Sequence, residues 1–83
     1  MAKGDIVKNV VAYLVGEIVD NPDEVTIDIV EEGDDEITAE VRCAKPDMGR
    51  VIGRRGRVAR AIRTLAQAAG EEEGLTASVE FVD

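Results

Sequence analysis

Residues 48 to 57 read Met48-Gly49-Arg50-Val51-Ile52-Gly53-Arg54-Arg55-Gly56-Arg57, two glycines bracketing two arginines, with further arginines on either side. Guanidinium groups are planar forks of N–H donors that match the oxygens of a phosphate. Glycines lack a Cβ, so their backbone can turn tightly and approach such a group within hydrogen-bonding distance. The chemistry of this stretch is the gripping of an anion, with no covalent bond made or broken. Six basic residues (Arg50, Arg54, Arg55, Arg57, Arg60 and Arg63) fall within fourteen positions. Between Arg42 and Arg63 eight basic residues face one acid, Asp47, so this window carries +7 and the rest of the chain −15, within a net charge of −8. Charge is screened over roughly 8 to 10 Å at cellular salt, which lets a concentrated basic face bind an anion despite an acidic remainder.

Other chemistries find little support. There is no histidine and only one cysteine, and neither a P-loop nor a dinucleotide-type glycine motif is present. No enzyme activity, cofactor or small-molecule substrate is expected. The acidic run Glu31-Glu32-Gly33-Asp34-Asp35 lacks the alternating acids and closing glutamate of a calcium loop, and reads as a solvated turn with no metal. Aromatic residues are 2% of the chain, Tyr13 and Phe81 alone, which argues against readers that stack bases on sheet aromatics. Cys43 cannot form an internal disulfide, and the chain shows neither a signal-peptide block nor an apolar span of bilayer length. These features predict a reducing, cytoplasmic setting and no membrane, with Cys43 a small core residue.

Three kinds of element must position the arginines. Val7, Val10, Val11, Leu14, Ile18 and Val19 follow helical spacing from about Gly4 to Asp20, with Asp5 as the expected cap and Asn21-Pro22 as the stop. The period then changes to two. Val25, Ile27 and Ile29 form one half-buried strand, and Ile37, Ala39, Val41 and Cys43 a second, joined by the acidic turn. Lys45-Pro46-Asp47 opens a short helix ending near Ile52-Gly53. After Gly56 the series Val58, Ile62, Leu65, Ala66 and Ala69 predicts another helix, running to Gly70. Glu71-Glu72-Glu73-Gly74 reads as a loop before a last strand with Leu75, Ala77, Val79 and Phe81 inward.

The order is α-β-β-α-α-β over residues 1 to 83, read as one domain. Polar residues line the other face of each strand, so helices must cover one side alone, giving a two-layer α+β domain. Joining the second strand to the third through two helices favours a crossover and a mixed three-stranded sheet. Val51, Ile52, Ile37 and Val41 are candidates to line a shallow apolar groove opposite the glycine turn, where unstacked bases rest, while some of these four side chains must instead be core. A plainer reading stands beside this one: Gly53 and Gly56 punctuate a corner between helices, and the arginines pair with the protein's own acids.

Val51-Ile52-Gly53-Arg54-Arg55-Gly56 resembles the VIGxxG element of KH domains, whose loop clamps about four backbone nucleotides, and the element order is similar to the type II arrangement. Val19 through Val25, Gly49 through Gly53, and Gly56-Arg57 with Ala61 through Leu65 are similar to small bacterial single-domain KH proteins. The resemblance implies a single-stranded RNA-binding protein and RNA chaperone that pairs with the larger KH protein KhpB and influences cell elongation and so cell shape; a homodimer stands open beside that heterodimer. It implies an RNA site at Arg50, Val51, Ile52, Gly53, Arg54, Arg55, Gly56 and Arg57. Relatives often carry lysine followed by an uncharged residue between the loop glycines, where this chain has Arg54-Arg55.

Overall fold

The computed structural model describes residues 2–83. Helix α1 (Asp5–Ile18) is followed by a single 3-10 turn, Pro22–Glu24, and by the hairpin β1 (Thr26–Glu31) and β2 (Glu36–Arg42). A second 3-10 turn, Lys45–Asp47, leads into α2 (Met48–Ile52); a third, Arg54–Gly56, leads into α3 (Arg57–Glu72), and β3 (Thr76–Phe81) closes the order. The sheet runs β1-β2-β3, antiparallel between β1 and β2 and parallel between β2 and β3. The expected crossover and mixed sheet are therefore present.

Register explains the one-sided core. Ile27 pairs with Val41, Ile29 with Ala39, Ile37 with Ala77 and Ala39 with Val79, so the apolar residues of all three strands share one face under the helices. The opposite face pairs Asp28 with Glu40 and Glu40 with Glu80. Among the described residues this row of like charges is relieved by Arg42, which pairs with Asp28 at 3.2 Å and Glu40 at 3.6 Å. Val7, Val11, Val15 and Val19 of α1 and the following turn are buried, and Ile6, Val10, Leu14 and Ile18 pack half-buried beside them. The whole width of the apolar stripe on α1 thus faces the core.

Two boundaries and the burial of one side chain differ from expectation. Asp5 is not the cap of α1: Gly4 holds that position in the left-handed region (φ 88°), while the Asp5 carboxylate accepts from the Ala2 amide at 2.9 Å. The amides of Gly4, Ile6 and Val7 instead donate to the carboxylate of Glu73, at 2.9, 3.1 and 3.3 Å. Helix α3 does not stop at Gly70. It continues to Glu72, because Gly70 serves packing: a Cβ there would stand 2.9 Å from the Leu75 carbonyl oxygen and 3.0 Å from the Ala77 Cβ. Leu65, expected in the core, is 47% exposed. At 3.6 residues per turn it sits about 90° around α3 from the centre of the stripe that Ala59, Ile62, Ala66, Ala69 and Gly70 bury.

Candidate nucleic-acid interface

The five residues of α2 are too few to hold a helix in water by local bonding, and its anchors come from elsewhere. Val51 is fully buried in the core. Just ahead of the helix lies Asp47, the buried charged residue of the described chain, at 2% exposure. Its carboxylate accepts from the amides of Asp20 and Asn21, at 3.2 and 3.1 Å, and from the Asn21 side-chain Nδ2 at 3.1 Å. Burial pushes the Asp47 carboxyl up. The Asp20 amide, the side chain and amide of Asn21, and the charge of Arg50 outweigh that and hold it below the usual carboxylate range. Asp47 therefore stays ionised at neutral pH and ties the turn after α1 to the start of α2.

The chain reverses immediately after this anchored helix. The Gly53 amide donates to the Gly49 carbonyl at 2.9 Å, ending α2, and the Gly56 amide donates to the Gly53 carbonyl at 3.0 Å, closing the turn. Gly53, Arg55 and Gly56 all have positive φ, at 77°, 57° and 71°. The two glycines are required for different reasons. A Cβ on Gly53 would lie 2.5 Å from Val58 Cγ2 and 2.9 Å from the Val58 amide nitrogen, whereas one on Gly56 would meet nothing within 4 Å. Gly53 is fixed by space as well as by φ, Gly56 by φ alone. Arg55, a residue with a Cβ, holds a left-handed conformation that costs on the order of 1–3 kcal/mol and needs the flanking structure to impose it. Nothing in the sequence marks that position.

The arginines divide into two groups. Arg54, Arg55, Arg57 and Arg60 are exposed, and among the described residues none of them takes part in an ion pair. Arg50 donates from Nη1 to Asp20 Oδ1 at 2.8 Å. Arg63 donates from Nε to the Val79 carbonyl at 3.3 Å and holds its guanidinium carbon 5.5 Å from the centroid of the Phe81 ring, so it braces α3 against β3. Four of the six clustered arginines therefore keep their donors free, and the reading in which the protein's own acids neutralise the whole cluster does not hold.

Of the four candidates for an apolar groove opposite the turn, three are the ones taken by the core. Ile37, Val41 and Val51 are buried to 1%, 0% and 0% exposure and belong to the core, leaving Ile52 half-buried at the surface. The inward faces of β2 and of the minimal helix α2 are spent on holding the fold together. Arg57 and Arg60 flank a shallow open depression on α3 with Ala61, Thr64 and Leu65, of which the periodicity of α3 had assigned Leu65 alone to the core. Cys43 is half-buried against the core, and its thiol is pushed up by burial and by the charges of Asp47 and Asp83. No helix among the described residues is long and apolar enough to cross a membrane.

The chain can be set beside known proteins on this geometry. The profile of the KhpA/KhpB KH domain matches residues 8–81. The RNA-binding protein KhpA of Caldanaerobacter subterraneus is 42% identical over 95% of this chain and 99% of its own length. Its namesake in Listeria monocytogenes is 38% identical over 92% of this chain and 99% of its own. That of Borreliella burgdorferi is 38% identical over 88% of each. The matched region takes in α2, the glycine-arginine turn and α3, the elements that build the candidate interface described above. With most of its length covered at such identity, and with the α-β-β-α-α-β order and mixed sheet of the type II arrangement, this chain belongs to the KhpA/KhpB family of KH domains.

Proposed function

We propose that this protein binds single-stranded RNA as a single KH domain, gripping the phosphate backbone at the Gly53-Arg54-Arg55-Gly56 turn, and that it works as an RNA chaperone in the cytoplasm. The observation that carries the reading is the pairing of a left-handed, glycine-bounded corner with four exposed arginines that have no acidic partner among the described residues. Gly53 and Gly56 bring the backbone close to the RNA, Arg54 and Arg55 offer forked donors at the tip, and Arg57 and Arg50 extend the contact to neighbouring phosphates. The amino terminus of α3 faces the same side and adds its partial positive charge. Ile52 offers the bases a small apolar contact, with Val51 holding it in place. The names of the KhpA relatives support RNA as the ligand.

Titrating a labelled single-stranded RNA into the protein and into an Arg54→Asp, Arg55→Asp variant tests this. The variant is expected to keep its melting temperature and lose binding; unchanged affinity overturns the reading. If four phosphates are neutralised, a slope of about −0.7 per contact gives roughly a fifty-fold loss of affinity between 50 and 200 mM salt. The exposed Leu65 beside Ala61 on α3 favours a second, compatible role as a pairing surface, through which the chain forms a homodimer or joins KhpB in the control of cell elongation. A module of that kind with a vestigial RNA site is the outcome if the double variant binds RNA unchanged.

A further inference from the structure

Asp20 lies thirty residues before Arg50 in sequence, yet among the described residues it is the one acid in an ion pair with an arginine of the proposed RNA site, the Asp47 carboxylate acting on Arg50 only through its charge. Both side chains are well exposed, Arg50 at 59% and Asp20 at 67%, and a single contact of 2.8 Å joins them. Exposed pairs of this kind are screened by solvent and weak. Nor is the pair what holds α2, since the Asp47 carboxylate already fixes the backbone of Asp20 and Asn21 and Val51 anchors the helix in the core. The contact has another meaning when the chemistry of the ligand is considered. A carboxylate oxygen and a phosphodiester oxygen ask for the same guanidinium donors.

We infer that Asp20 competes with an RNA phosphate for Arg50 and so sets the affinity of the site from outside it. The inference rests on the RNA-binding reading above. Without RNA, Arg50 is neutralised and the corner presents Arg54, Arg55 and Arg57 alone. As RNA arrives, the phosphate displaces the carboxylate, which turns to water at little desolvation cost because it is already largely hydrated. Removing the competitor then leaves Arg50 free beforehand, and the phosphate no longer has an ion pair to break.

The test is a double-mutant cycle on RNA affinity at fixed salt, using one labelled single-stranded RNA and the full chain. Asp20→Asn is expected to tighten binding about two- to fivefold, the value of one exposed ion pair, and to change nothing when made in an Arg50→Gln background. Equal tightening in both backgrounds means a general effect of charge and overturns the inference, as does no tightening, or weaker binding, in the parent. Asn keeps the backbone amides that Asp47 holds; should it lower the melting temperature, Asp20→Ser repeats the measurement on the same backbone. The Arg54→Asp, Arg55→Asp variant measured alongside separates the two readings. If it binds RNA normally, the loop reading has failed; if it loses binding while Asp20→Asn is silent, only the role of Asp20 has.

Discussion

Helices α1 and α3 begin with the same device and use it in opposite ways. Each starts from a glycine in the left-handed region, Gly4 at φ 88° and Gly56 at φ 71°, with no side-chain bond from the cap residue itself. At α1 the free amides are met from inside the molecule, because Glu73 brings its carboxylate to Gly4, Ile6 and Val7. At α3 no side chain among the described residues caps the first turn, and arginines surround it. A helix amino terminus attracts negative charge by its unpaired amides and its dipole. One end of this molecule satisfies that demand with its own carboxylate, which joins the carboxyl end of α3 to the start of α1 and stabilises the fold. The other has no such carboxylate among the described residues and stands amid exposed arginines without acidic partners, which on the proposed reading suits it to an external anion.

The largest expected effect lies at the closed end. Glu73→Ala removes the acceptor of three amides at a partly buried site, and should cost about 2 kcal/mol of stability, a fall in melting temperature of roughly 8 to 16 °C. RNA affinity at a temperature where the variant remains folded should be unchanged. Thermal unfolding followed by circular dichroism, with an RNA titration at 15 °C, checks both halves. A stable Glu73→Ala protein would mean that water serves the α1 amides as well as Glu73 does, and the contrast between the two helix starts would lose its energetic content.

The cap glycines themselves offer the next contrast. A Cβ on Gly4 would press to 2.9 Å on Ile29 Cγ2 and 3.1 Å on Ile37 Cδ1, in addition to the strain of positive φ, whereas a Cβ on Gly56 carries the strain alone. Gly56→Ala should therefore cost about 1 kcal/mol, and Gly4→Ala about 2 kcal/mol, once displacement of core isoleucines is added. Denaturant midpoints of the two variants rank them directly. Equal midpoints would show that the isoleucines yield freely, and that only backbone conformation distinguishes glycine from alanine at either cap.

Much of this arrangement is legible in the chain and some is not, for reasons of range. Strands and helices announce themselves by period, since Ile27, Ile29, Ile37, Ala39 and Val41 alternate and Val7, Val11 and Val15 recur every fourth residue. The glycine corner is legible because its ingredients are consecutive. Glu73, Asp47 and Arg63 are not, because each acts on residues far away in sequence: 66 to 69 positions for Glu73, 26 and 27 for Asp47, 16 for Arg63. A glutamate in a run of three, and an aspartate before a short helix, look like solvated turn residues until the fold brings their amide partners to them. Leu65 misleads for a related reason. Its apolarity places it near the stripe, but the edge of a stripe is set by where the neighbouring helix and sheet sit, and no local pattern fixes that.

The smallest effect sharpens the comparison most. Arg57 is the first residue of α3 and carries a positive charge where the helix dipole prefers a negative one. Arg57→Glu should therefore make the open end resemble the closed one, raising stability by about 0.3 to 1 kcal/mol while weakening RNA binding through loss of a phosphate contact and repulsion of the next. A gain in one property against a loss in the other is the mark of a helix start reserved for an outside anion. Paired measurements of melting temperature and RNA affinity on this one variant decide it. If stability falls along with affinity, Arg57 is holding the first turn of α3 in place through packing, and the positive charge at that position has a structural reason that the unpaired guanidinium conceals.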